Sequence, residues 1–160
     1  MVFEALQHAR VVEAGERYLR NLPQRGPLSW NARTAHFAHT LARLMRHYGP
    51  SSRAIVWAHN THVGDARATD MVRTGEVNLG QLARERYGAD AVFVVGFCTA
   101  TGEVLAARVW EGRRETMRVP PPRPDSLEAA MLASGAGGRV LMFDRAAPQA
   151  KALRRRLPHR

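Results

Sequence analysis

The chain carries a single cysteine, Cys98, among its 160 residues, which excludes an intrachain disulfide framework and any zinc site built on several thiolates. No stretch approaches the roughly 20 apolar residues that a membrane span requires. The first residues, MVFEALQHAR, place charge where a secretory signal needs an apolar block, so a cytoplasmic protein that does not engage the membrane is expected. There is no phosphate loop, no G-x-G-x-x-G and no G-x-S-x-G, which leaves neither a nucleotide cradle nor a serine nucleophile elbow. No repeat at solenoid periods is visible. What holds the fold must be packing, and 45% hydrophobic residues suffice for one domain with a core.

Charge is abundant and of mainly one sign: 24 basic residues against 14 acidic give a net +10. Residues 1–50 carry 7 Arg against 3 acids, residues 51–100 balance at 5 and 5, and residues 101–160 carry 12 basic residues against 6 acids. The neutral middle argues against a nucleic-acid surface. The excess gathers in Lys151, Arg154, Arg155, Arg156 and Arg160, so the different-class alternative is a non-catalytic remnant that binds a polyanion through this tail, or another ligand.

Apolar residues at helical spacing predict a helix over 2–20, through Val2, Ala5, Leu6, Ala9, Val12 and Leu19. A loop with two prolines and a glycine follows over 21–27, and a second helix from Asn31 carries Phe37, Leu41, Leu44, Met45 and Tyr48 to a stop at Gly49-Pro50. Its other side carries His36, His39, Arg43 and His47. The continuous apolar runs 53–58 and 91–97 suit strands buried on both faces. Between them lies a helix over 76–87 with a glycine stop at Gly88. The second run and 104–110 form an expected hairpin near 91–110, turning at Gly102. Pro120–Pro124 is an extended spacer. Asp125-Ser-Leu-Glu128 opens a helix to about Ala133, and 139–143 is a last short strand. Alternating helices and strands place the chain in the α/β class, with ligands expected beyond the carboxyl ends of parallel strands.

Directly after the first predicted strand, residues 59–70 hold His59, Asn60, Thr61, His62, Asp65, Arg67, Thr69 and Asp70, the densest cluster of titratable and polar groups in the chain. The H-x-x-H pair leaves three readings open. It can contribute two zinc ligands with Asp65 or Asp70 as a third, hydrogen-bond local backbone, or do acid–base and electrostatic work as neutral imidazole near physiological pH.

The segment Val56-Trp-Ala-His-Asn-Thr-His-Val-Gly-Asp65 resembles the erythromycin esterase family. Further segments fall in that family's order: Glu16-Arg-Tyr-Leu-Arg20, Ser29-Trp-Asn-Ala-Arg33 with His36, Asn78-Leu-Gly-Gln-Leu82, Gly96-Phe97 with Gly102, Ala106-Ala107 through Trp110, and Pro124-Asp-Ser-Leu-Glu128. The resemblance spans about residues 16–143. It implies a partial three-layer α/β/α fold with a mostly parallel sheet, and hydrolysis of a carboxylic ester or lactone without an acyl-enzyme, as in macrolide antibiotic inactivation and resistance. A histidine would activate the water while neighbouring histidines, carboxylates and an arginine orient it and stabilise the oxyanion. His59 and His62 match catalytic histidines, and Trp57, Asn60, Asp65, Arg67, His36 and Arg33 are the expected substrate-binding residues. No cofactor or metal is implied.

Two departures accompany it. Thr34 and His39 stand where the resemblance leads one to expect acids, and the family's G-E-x-x-H base segment has no counterpart: the Gly-Glu pairs at 15–16, 75–76 and 102–103 are followed three residues on by Leu19, Leu79 and Ala106. The expectation is a domain over 1–143 that lacks its N-terminal half, then a basic tail over 144–160. Its partners would be a small ester or lactone and either a complementary N-terminal polypeptide or a second copy of the chain.

Overall fold

The structure, a computed structural model, describes residues 2–24, 26–109, 112–135, 138 and 140–143. The basic tail, and with it the polyanion-binding expectation, lies outside the described residues. The chain forms two compact units, Met1–Gly96 and Phe97–Arg160.

The first unit is built on a helical hairpin, α1 (Val2–Asn21) and α2 (Leu28–Tyr48). Phe3 stacks on His47 with ring centroids 3.9 Å apart, Arg43 Nε donates to Gln7 Oε1 at 2.7 Å, and the Arg33 guanidinium lies 5.9 Å from the Tyr18 ring, so the helices run antiparallel. α2 begins three residues earlier than expected. Pro27 caps it in the right-handed helical region with φ −78°, and Asn31 N–H closes the first turn on the Pro27 carbonyl at 2.8 Å, because proline arrives with φ already set for helix. The glycine stop is as expected: Gly49 at φ 92° donates to the Met45 carbonyl. On α1 the apolar stripe of the sequence is exposed, Val2, Val12 and Leu19 included, and the face toward α2 is carried by Phe3, Gln7 and Tyr18.

Beyond α2 come three short turns and a helix: α3 (Asn60–Val63), a 3-10 turn at Ala66–Ala68, α4 (Met71–Thr74) and α5 (Leu79–Tyr87). α5 starts at Leu79 rather than Glu76 because Asn78 caps it, its Oδ1 accepting from Gln81 N–H at 2.9 Å. The buried residues of this unit are few, and all but Leu79 are small or polar: Thr34, Ala42, Ala66, Asn78, Leu79 and Gly80. Thr34, at one of the two positions where an acid was expected, is 2% exposed.

The sheet departs most from expectation. Among the described residues the only sheet is a two-stranded antiparallel one, β1 (Glu103–Ala106) with β2 (Glu115–Arg118), in register Glu103 opposite Arg118 and Ala106 opposite Glu115. The hairpin expected near 91–110 is therefore displaced. Gly102, at φ 119°, does not turn residues 91–97 back on 104–110; its carbonyl accepts from Val119 N–H at 2.9 Å and extends the β1–β2 pair. The runs 53–58 and 91–97, expected as buried strands of a parallel sheet, have no ladder partner among the described residues, Ala91 closing a 3-10 turn over Ala89–Ala91, and neither do residues 140–143 of the strand expected over 139–143. Burial on both faces needs a layer on each side, and here Ile55 is 95% and Phe93 79% exposed. The architecture is mixed, mostly helical with this small sheet.

The second unit holds the hairpin and α6 (Leu127–Ala133). Arg108 pairs with Glu115 at 2.7 Å. The helix expected after Asp125-Ser-Leu-Glu128 is present, but its cap is one residue later than that pattern implies: Ser126 Oγ accepts from Ala129 N–H at 3.2 Å, while the Asp125 carboxylate accepts from Arg123.

Candidate active site

His59 precedes α3 and His62 lies on it. His59 is its cap: at φ −61° and ψ 149° the ring folds back so that Nδ1 accepts the Thr61 N–H at 3.3 Å, with Thr61 Oγ1 3.0 Å from the same nitrogen. His62 lies a turn further on, its ring stacked on Trp30 with centroids 4.8 Å apart and planes 14° from parallel.

Polar residues far apart in sequence hold this turn. Trp30 Nε1 donates to the Val77 carbonyl at 2.7 Å, while Asn31 takes Val77 N–H on Oδ1 at 2.9 Å and gives Nδ2 to the Gly75 carbonyl at 2.9 Å. Asn78, 1% exposed, does double duty, since Nδ2 donates to the Thr61 carbonyl at 3.0 Å while Oδ1 caps α5. Gly80 permits the approach of α5 to α3: a Cβ there would stand 1.9 Å from the Gly64 carbonyl oxygen and 2.2 Å from that of Val63. Trp30, Asn31, Asn78 and Gly80 were not among the expected site residues. Asn78 is a helix-cap residue ahead of an apolar period, and that signal was available.

Burial, then the positive charge of Arg33, then His59, hold the His62 ring below its ordinary value of 6.5. It is accordingly neutral at physiological pH, the form able to accept or donate a proton. Arg33 lies one turn after Trp30 on α2, its guanidinium 5.1 Å from the Trp30 ring; its Nε is buried without a hydrogen-bond partner among the described residues. Arg33, Trp30 and His62 thus form one aromatic and cationic cluster beside the His59 turn.

The other expected residues divide. Asn60 opens α3, and its Oδ1 lies 4.0 Å from where a Cβ on Gly96 would stand, so the end of the second apolar run passes this loop. Asp65 and Arg67 are committed to each other: Asp65 caps the 3-10 turn by accepting Arg67 N–H at 3.2 Å, and its two oxygens take Arg67 Nε and NH2 at 2.9 and 2.8 Å. Those hydrogen bonds from the Arg67 side chain, first among the causes, hold the Asp65 carboxyl below the usual aspartate range. Arg67 also stands 3.6 Å from Glu85. Trp57 is 86% exposed on the first apolar run. His36 belongs to the helical hairpin: burial lowers its pKa first, then Arg43 and His39, with Glu13 opposing. Among the described residues no three of His, Cys, Asp and Glu gather as a metal set, and no helix is long and apolar enough to cross a membrane.

The sequence pattern of the family described as Erythromycin esterase matches residues 1–160, wider than the segments that carried the resemblance. The chain belongs to the erythromycin esterase family. No solved structure matches it. At family level this is an esterase-like hydrolase, and the W-A-H-N-x-H stretch here ends in the α3 turn, which Trp30 meets at His62 and Asn78 at the Thr61 carbonyl.

Proposed function

We propose that this chain supplies the orienting and oxyanion-stabilising part of a site that hydrolyses carboxylic esters or lactones, macrolide lactones among them, with consequences for antibiotic resistance. The observation that carries the reading is a pair of histidines on one capped turn, His62 kept neutral against Trp30 and Arg33, in a member of an esterase family. Attack of water on the carbonyl leaves negative charge on its oxygen, and imidazole N–H groups and a guanidinium are donors suited to that charge. The water's proton goes to a histidine base on a G-E-x-x-H segment. These 160 residues contain none, so in this reading a complementary polypeptide brings it. The same polypeptide would turn the exposed runs 53–58 and 92–97 into strands of the three-layer α/β/α fold, in the cytoplasm.

The test is hydrolysis of a chromogenic acetate ester and of a macrolide lactone by the chain mixed with a family segment bearing G-E-x-x-H. Turnover that needs both pieces and falls at least tenfold in His62→Ala or His59→Ala is expected. Turnover indifferent to both histidines would end the proposal.

A further inference from the structure

His59 presents two ring nitrogens, and the fold treats them differently. Nδ1 faces the backbone N–H of Thr61 at 3.3 Å and the Thr61 hydroxyl at 3.0 Å. A hydroxyl can turn to donate or accept, but a backbone N–H only donates. With that N–H aimed at it, Nδ1 must offer its lone pair, and the proton of the neutral ring goes to Nε2. The hydroxyl then adds a second donor to the same nitrogen.

We propose that Thr61 is a positioning residue that holds His59 as the Nε2–H tautomer, making it a hydrogen-bond donor toward substrate and not a base. The inference rests on the hydrolytic reading for its use, though not for its existence. It divides labour at α3: His59 gives Nε2–H to the carbonyl oxygen as charge develops there, and Nδ1, engaged by the Thr61 N–H and hydroxyl, takes no proton from water. Thr61 is itself fixed from the opposite side, because its carbonyl accepts from the buried Asn78 Nδ2 at 3.0 Å. The chain Asn78 to Thr61 to His59 therefore runs from a buried cap to a reacting nitrogen, the kind of supporting bond that sets which imidazole nitrogen is free.

The tautomer is read directly from the nitrogen-15 shifts and ring couplings of His59 in the uniformly labelled chain at alkaline pH. A single Nε2–H form is expected; it should persist in Thr61→Val, which keeps the backbone N–H, and give way to a tautomer mixture in Thr61→Pro, which removes that donor and the hydroxyl together. In the complemented enzyme Thr61→Pro should lower kcat about tenfold with KM little changed, and Thr61→Val should stay within about twofold of wild type. A wild-type ring protonated on Nδ1, or a Thr61→Pro ring with the wild-type tautomer, overturns the proposal. Because the nitrogen signal needs no substrate, a locked tautomer without ester hydrolysis would defeat the hydrolytic reading alone, and hydrolysis with an unlocked ring would defeat this one alone.

Discussion

Two neighbouring parts of the first unit invert the usual distribution of residues. Around α3 and α5 one large apolar residue, Leu79, is buried, and the other buried places are held by Asn78, Thr34, Ala66 and Gly80, with Trp30 and Asn31 tying backbone groups. In the runs 53–58 and 92–97, which lead into and past that turn, Ile55, Trp57, Phe93 and Phe97 are open to solvent, and Val92 and Val94 are half-buried. Hydrogen bonds with defined donors and acceptors position the histidines within this chain, because a cap or an amide bridge closes on neighbouring backbone and needs no outside layer. Apolar strands gain their stability only when something covers them. The α3 turn therefore closes on bonds that this chain makes with itself, and the two runs do not.

The largest blow to that contrast is Gly80→Ala. The new Cβ would meet two backbone carbonyls, neither able to step aside, so a loss of about 3 kcal/mol or more is expected from denaturant unfolding. Gly15→Ala, with nothing within 4 Å of its Cβ in α1, should instead stabilise by about 0.5–1 kcal/mol. Next comes Asn78→Ala, which removes the α5 cap and strands the Thr61 carbonyl; about 2 kcal/mol is expected, with faster amide exchange at Thr61 and Gln81. If Gly80→Ala and Asn78→Ala melt like wild type, the polar ties are not what holds the turn.

The acid limb of stability is a finer probe. His62 is held below 6.5 in the fold, so as the pH falls from about 6.5 the unfolded chain takes up the proton first and the native state loses ground. The loss is complete once the pH is below the folded value. His36 acts in the same direction. Asp65, depressed by Arg67, contributes fully above its ordinary 3.8 and loses that contribution at lower pH. Thermal melts between pH 7 and 5 should therefore fall, and His62→Phe, which keeps a ring against Trp30, should flatten part of the slope. Trp30→Ala should raise the His62 titration midpoint more than Arg33→Met does, since burial outranks the Arg33 charge among its causes.

What the sequence made legible follows the same division. The glycine stops at Gly49 and Gly88 and the start of α6 are local, and they were readable because each depends on a few adjacent residues, although the α6 cap fell on Ser126 and not on Asp125. The cluster at His59–Asp65 was readable as a density of chemistry. The ties of that cluster to Asn78 and Trp30 were not, because a bond across 17 residues, or a ring stack between residues 30 and 62, leaves no periodic trace. The hairpin was misplaced for a related reason: β2 is Glu-Thr-Met-Arg, whose one apolar residue, Met117, gives too weak an alternation to compete with the stronger run at 92–97. Apolar runs report what a segment can bury, and the partner that buries it lies elsewhere in the chain or outside it.

The smallest expected effect therefore carries the sharpest test of the contrast. Ile55→Ser and Phe93→Ser remove large apolar side chains from the two runs, and at exposures of 95% and 79% each should change the stability of the isolated chain by no more than about 0.5 kcal/mol. Self-association at high concentration should fall, because a smaller apolar surface faces solvent. The same substitutions measured in a complemented enzyme should behave in the opposite way, weakening capture of the complementary polypeptide and with it turnover. A cost of about 2 kcal/mol or more in the isolated chain would mean that these runs are already covered in solution. The α3 turn would then owe its order to a sheet beneath it as well as to Asn78 and Trp30, and the difference between the two regions would be one of side-chain chemistry alone.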